Sequence, residues 1–180
     1  MGPPDAPAPK LNGVALAVVD DAWVGLSDGT GVTVGLNNYT IGTDAFDTVQ
    51  EGIDALSSGG TVKILPGNYS ETATGRVLYD ASGPYQFGIF VGQASDNITI
   101  QGVDASGNPV TSAAGVLATI NTNATNGFGP SGFFIEGDGC TIAGVTIGVN
   151  SAGQNKTLEV IGDNRSEERR VGKECLRLCR

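Results

Sequence analysis

Between Phe46 and Glu71 the chain reads FDTVQEGIDALSSGGTVKILPGNYSE, and its hydrophobic period changes partway through. Phe46, Val49, Ile53 and Leu56 recur at steps of three and four, which predicts the buried face of a short helix. Asp47 is the expected N-cap, with Gln50 three residues on. Gly59 and Gly60 are expected to end that helix, because glycine adopts positive φ without strain. Thr61 to Leu65 then alternates, with Val62 and Ile64 on one face of a half-buried strand, and Pro66-Gly67 supplies a closing turn.

Upstream, prolines at positions 3, 4, 7 and 9 predict an extended linker over residues 1–12. Leu11 to Val19 is apolar enough for a strand, Val32 to Val34 for a shorter one, and Asn37-Asn38 reads as a turn. The run before Asp44 is a lead-in to the helix. Downstream, Thr72 to Gln86 is a polar, glycine-containing excursion, after which the chain repeats itself. Gly88-Ile-Phe-Val91 precedes Asp96-Asn-Ile-Thr-Ile-Gln-Gly-Val103, and Gly132-Phe-Phe-Ile135 precedes Asp138-Gly-Cys-Thr-Ile-Ala-Gly-Val145. Asp96 aligns with Asp138, Ile100 with Ile142 and Gly102 with Gly144, all 42 positions apart. A unit of this kind predicts stacked strands in which each aliphatic residue lies over its counterpart. Further strands are expected at Val116 to Ile120, Val145 to Val149 and Leu158 to Ile161.

Composition agrees with short strands and tight turns: 28 of 180 residues are glycine and only 6% are aromatic, so the core must be aliphatic. No apolar run approaches the roughly 20 residues of a membrane-spanning helix. The Pro-rich start has neither the charged nor the apolar region of a signal peptide, so the expectation is a start further upstream or an export signal elsewhere.

Arg165 to Cys175, RSEERRVGKEC, resembles residue for residue the in-frame translation of a common short-read sequencing adapter. Residues 165–180 are therefore set apart from the fold, and the domain, residues 13–164, is expected to break off near Asn164. That tail holds six of the ten Lys and Arg and three of the nineteen acids, which leaves four basic against sixteen acidic residues in the body. Such a surface excludes nucleic acid as a partner, since phosphate binding depends on clustered cations, and suits neutral or cationic partners. Cys175 and Cys179 also fall in the tail. Cys140 alone offers neither a disulfide nor a zinc site.

The helix-to-PGNYSE stretch, followed by NITIQGV and FFIEGDGCTIAGVTI, resembles the N-terminal part of right-handed parallel β-helix proteins of the pectin-lyase-like superfamily. The resemblance covers roughly residues 40–164. It implies an all-β solenoid with a short capping helix, carried by a secreted or surface-exposed bacterial protein, outside the cell. Within that superfamily, Gly137-Asp138-Gly139 and Asn150-Ser-Ala-Gly153 are similar to segments of pectin methylesterases. The stretch where those enzymes carry a glutamine reads Lys156-Thr-Leu-Glu-Val160 here, so no catalytic residue is carried over.

The residues themselves narrow the chemistry further. There is no histidine, so carboxylates are the only acids or bases on offer. Asp96 and Asp138 could share an edge and hold calcium, an ion that takes oxygen ligands, but each is read as opening a turn by bonding its own backbone. Glu71 is read as capping a turn or facing solvent rather than as an acid. Cys140 aligns with Ile98 and is expected in the interior. Trp23 and Tyr85 have rings that stack on sugars, although isolated aromatics more often cover a core edge. Asn38, Asn68, Asn97, Asn123 and Asn155 begin N-x-S/T sequons, as expected by chance in a chain rich in Asn and Thr. The expected function is a noncatalytic β-helix scaffold or adhesin-like rod meeting a polysaccharide or surface glycan, with no cofactor. The alternative is the N-terminal fragment of a pectinesterase, pectate lyase or uronan epimerase whose catalytic coils lie further on.

Overall fold

The computed structural model describes residues 13–72, 77–80, 83–123, 129–149 and 156–160. The linker at 1–12, the adapter-like stretch at 165–180 and the predicted strand end at Ile161 lie outside them. Fourteen strands and one short α-helix are described: β1 (Val14–Val19), β2 (Gly31–Val34), β3 (Asn37–Thr40), β4 (Ala45–Phe46), α1 (Val49–Asp54), β5 (Leu56–Ile64), β6 (Gly67–Thr72), β7 (Val77–Asp80), β8 (Gly83–Val91), β9 (Thr99–Gly102), β10 (Ala118–Asn123), β11 (Gly129–Ile135), β12 (Thr141–Ala143), β13 (Val145–Val149) and β14 (Lys156–Val160). The fold is all-β, and its three larger sheets are built chiefly from parallel pairs.

The first sheet has the order β12-β9-β5-β1-β4, the second β13-β10-β6 and the third β14-β11-β8-β7. From β5 onward the chain visits the first sheet, then the second, then the third, and makes that circuit three times in all, the first pass giving the third sheet both β7 and β8. Each pass lies in register on the one before it. Ala17, Val62, Ile100 and Ile142 therefore form one row, Tyr69, Ile120 and Ile147 a second, and Ile89, Phe133 and Leu158 a third. These rows meet in a single core cluster, and fully burying each large aliphatic residue contributes about 1.5–3 kcal/mol.

The backbone two residues before the aligned Thr61, Thr99 and Thr141 of the first sheet repeats as well. Gly59, Asn97 and Gly139 all have left-handed backbone, with φ of 78°, 57° and 67°. The Gly59 N–H donates to the Asp96 carbonyl (2.8 Å) and the Asn97 N–H to the Asp138 carbonyl (2.6 Å), so successive turns are stitched by the same bond. Only glycine and asparagine enter this conformation cheaply, which accounts for the residues found there.

Several local expectations are corrected by these pairings. Phe46 is buried, but in β4 beside Val19, and Leu56 is buried in β5, so the helix keeps only Val49 and Ile53 of its predicted face. The N-cap is Thr48, whose Oγ1 accepts from the Glu51 N–H at 3.3 Å, rather than Asp47. The helix ends at Asp54, five residues before Gly59, and Gly59 instead allows β5 to bulge between its pairings with Val14 and Leu16. Asn37-Asn38 is not a turn: both residues lie in β3, antiparallel to β2, and the reversal falls at Gly35, with φ of 60°. The excursion from Thr72 to Gln86 contains β7 and the start of β8, paired as an antiparallel hairpin.

Helix α1 touches β1, β4 and β5 of the first sheet, β6 of the second and β8 of the third. It thus lies across one end of all three sheets. Gly52 lets it lie close against the first sheet: a Cβ there would lie 2.6 Å from Val19 Cγ2 and 3.0 Å from Val62 Cγ2.

Candidate functional site

Asp96 and Asp138 are brought to adjacent turns, as the repeat requires, but their contacts are structural. Asp96 Oδ1 accepts the Asp138 N–H at 2.8 Å, and the Asp96 carbonyl accepts both the Gly59 N–H and the Ser58 hydroxyl. The expected bond of each aspartate to its own turn is replaced, for Asp96, by a bond to the next pass. Among the described residues no group of three or more His, Cys, Asp or Glu is placed to hold a metal ion.

Cys140 joins Ile98 in the core cluster. Its Sγ donates to the Ser95 carbonyl at 3.3 Å, and burial pushes the thiol pKa up, away from the reactive thiolate. Trp23 packs against the second cluster, formed around Val18, Val34 and Leu65, and so covers a core edge. Tyr85 lies in β8 opposite Gly129; its side chain is outside the described residues, as is the sequon at Asn155. Asn38, Asn68 and Asn97 are exposed.

The residues that sequence reasoning missed lie where α1 meets the sheets. Glu71 does not face solvent, being 5% exposed, and the turn it caps is the first turn of α1: its Oε1 accepts the Val49 N–H at 2.6 Å while Oε2 accepts the Gln50 N–H at 3.4 Å. It therefore satisfies two of the donors that every helix leaves free at its first turn. Alternation along β6 carries the signal that would have found it, since Tyr69 and Glu71 share a face and Tyr69 is buried. Loss of solvent raises the Glu71 pKa from 4.5 to about 7, against the lowering effect of the two amide donors and with the charges of Glu51 and Asp47 adding to the rise. Beside it the Tyr69 hydroxyl lies within hydrogen-bonding distance of the Val19 and Leu65 carbonyls, and burial raises that phenol well above its ordinary value.

Gln50 serves the third sheet. Its Oε1 accepts the Phe90 N–H at 2.7 Å and its Nε2 donates to the Phe90 carbonyl at 3.0 Å and to Asp54 Oδ1 at 2.8 Å. The side-chain amide stands in for a neighbouring strand along the edge of β8 that β7 does not reach. Gln50→Ala is expected to lower stability by about 1–3 kcal/mol, since it removes two part-buried hydrogen bonds to the Phe90 backbone. Urea denaturation measures the loss, and faster amide exchange at Phe90 locates it; an unchanged midpoint would show that water replaces the amide freely.

The arrangement at this end is suited to holding a helix on a stack of strands. Its buried carboxylate and its side-chain amide both bond main-chain groups across that junction. Comparisons with protein-family models, with curated proteins and with solved structures found no match to this chain. Among the described residues no helix is long and apolar enough to cross a membrane.

Proposed function

We propose that the chain is part of a right-handed parallel β-helix of the pectin-lyase-like kind, acting as a noncatalytic scaffold or adhesin-like rod of a secreted or surface-exposed bacterial protein. Its partner on this reading is a polysaccharide or surface glycan. The observation that carries the proposal is the threefold circuit of first, second and third sheet, with rows such as Val62, Ile100 and Ile142 in register. Repetition of that order is how a solenoid presents long, regular side faces to an extended ligand. The noncatalytic part rests on Asp96 and Glu71, whose carboxylates bond backbone amides. The excess of acids in the body argues for a neutral glycan over a polyuronate, because like charges repel.

The test is affinity electrophoresis of the full chain through gels containing neutral or acidic polysaccharides, together with assays for released methanol and unsaturated uronate. Retardation by a neutral glycan without turnover is the expected result. Turnover of pectin or polygalacturonate would replace the scaffold reading with an enzymatic one. Free migration through every gel would remove glycan from it.

A further inference from the structure

We propose that Glu71 is a proton-operated latch for α1: taking up a proton tightens the helix against the ends of the three sheets, and losing it loosens that contact. The geometry is that of an interface between two parts that could separate. Glu71 reaches from β6 to the first turn of α1, and residue 50 of that same turn holds the edge of β8. A change at Glu71 is thereby felt by the second and third sheets together.

The second observation is Thr122 of β10, which pairs in register with Glu71. It is fully buried, and its Oγ1 is the one buried side-chain polar atom without a hydrogen-bond partner among the described residues. Neighbours on one face of paired strands stand about 5 Å apart, so the two side chains are adjacent. A protonated Glu71 keeps a carbonyl oxygen for the Val49 amide and gains an O–H, for which the unpartnered Thr122 Oγ1 on the paired strand is an open acceptor. An ionised Glu71 has no donor to offer and must be held charged with little water. Thr122 is confined there, because its Cβ and Cγ2 occupy the space that a Cβ on Gly88 of β8 would need.

The charged groups facing the latch act in one direction. Asp47, just ahead of α1, and Glu51, within it, are the charges that bear on Glu71, and both repel its ionised form. Asp54 of α1 is engaged by Gln50, while β10 and β8 present Thr122 and Gly88, which are uncharged. An acid whose pKa is higher folded than unfolded binds its proton more tightly when folded. Its contribution to stability is therefore complete below about pH 4.5 and is lost as pH rises through about 7.

The experiment titrates the Glu71 carboxyl carbon by NMR in the full chain and follows amide protection across α1. The expected midpoint is near pH 7. Protection factors at Val49 to Ile53 should fall between about pH 5 and 8, by up to the order of a hundredfold, while those of β9 fall less. Glu71→Gln, which keeps an acceptor for Val49 and a donor for Thr122, should abolish the pH dependence. A midpoint in the ordinary carboxylate range, or the same pH dependence in Glu71→Gln, would overturn the proposal. If that variant does not fold, the wild-type titration alone decides.

Discussion

Gly102→Ala is expected to destabilise the domain by about 3–5 kcal/mol, a large part of the roughly 5–15 kcal/mol that holds a typical domain folded. Gly102 lies in β9 in register with Ile64, and the new methyl would overlap the carbonyl oxygen and carbon of Gly144 in the next pass. Gly144 cannot yield easily. It is held at φ of 68°, and the Gly102 carbonyl beside it is fixed by the Val110 N–H at 3.0 Å and by Gln101 Nε2 at 2.7 Å. Because the obstacle is main chain, relief requires the two passes to move apart, and the cost exceeds ordinary overpacking of side chains. Gly31→Ala is the control: nothing lies within 4 Å of the place its methyl group would take, so its effect should stay within about 0.5 kcal/mol. Urea denaturation of the two variants measures the difference. Equal midpoints would mean that β9 stands further from the following turn than this geometry requires.

The second large effect is expected from Ile100→Asp. Ile100 is 1% exposed, between Val62 and Ile142 in the row that crosses the first sheet. Substitution forfeits about 2–3 kcal/mol of apolar burial and introduces a carboxylate with no cation in its row. Together these approach the whole stability of a domain, so the variant should lose its β-sheet circular dichroism at neutral pH. Ile142→Asp should cost roughly half as much, because β12 is the outermost of the described strands of its sheet and Ile142 is only partly buried. Similar losses at both positions would mean that β12 is covered, and a melting temperature unchanged by Ile100→Asp would remove that residue from the interior.

Much of the stacking is legible in the sequence. The alignment of Ile100 with Ile142 and of Gly102 with Gly144 anticipated which residues pack side by side, because a structural repeat presents the same residue type at the same place on each pass. The interior position of Cys140 followed from its match to Ile98. Helix boundaries were not legible. Phe46 and Leu56 have helical spacing, yet β1 recruits both flanks into strands, pairing Phe46 with Val19 and Leu56 with Val14. Six residues of helix remain, too few to be stable without that surrounding contact. Turn chemistry misled in the same way at Asn37-Asn38, where pairing with Thr33 and Val34 outweighed local preference.

What the amino-acid sequence determined by itself is the alternation of inward and outward residues, the interval at which the strands return, and the glycines and asparagine that the turns between them require. Those are properties of neighbouring residues and of repetition, and both can be read along a line. Tertiary structure alone decided that Glu71 would be buried against a helix well upstream of it, that Gln50 would complete the edge of β8, and that Asp96 would bond the next turn rather than its own. Each of these is a polar group whose partner is distant along the chain. Local pattern reports only that such a group needs a partner, whereas the circuit of the chain through the three sheets settles which one comes within reach.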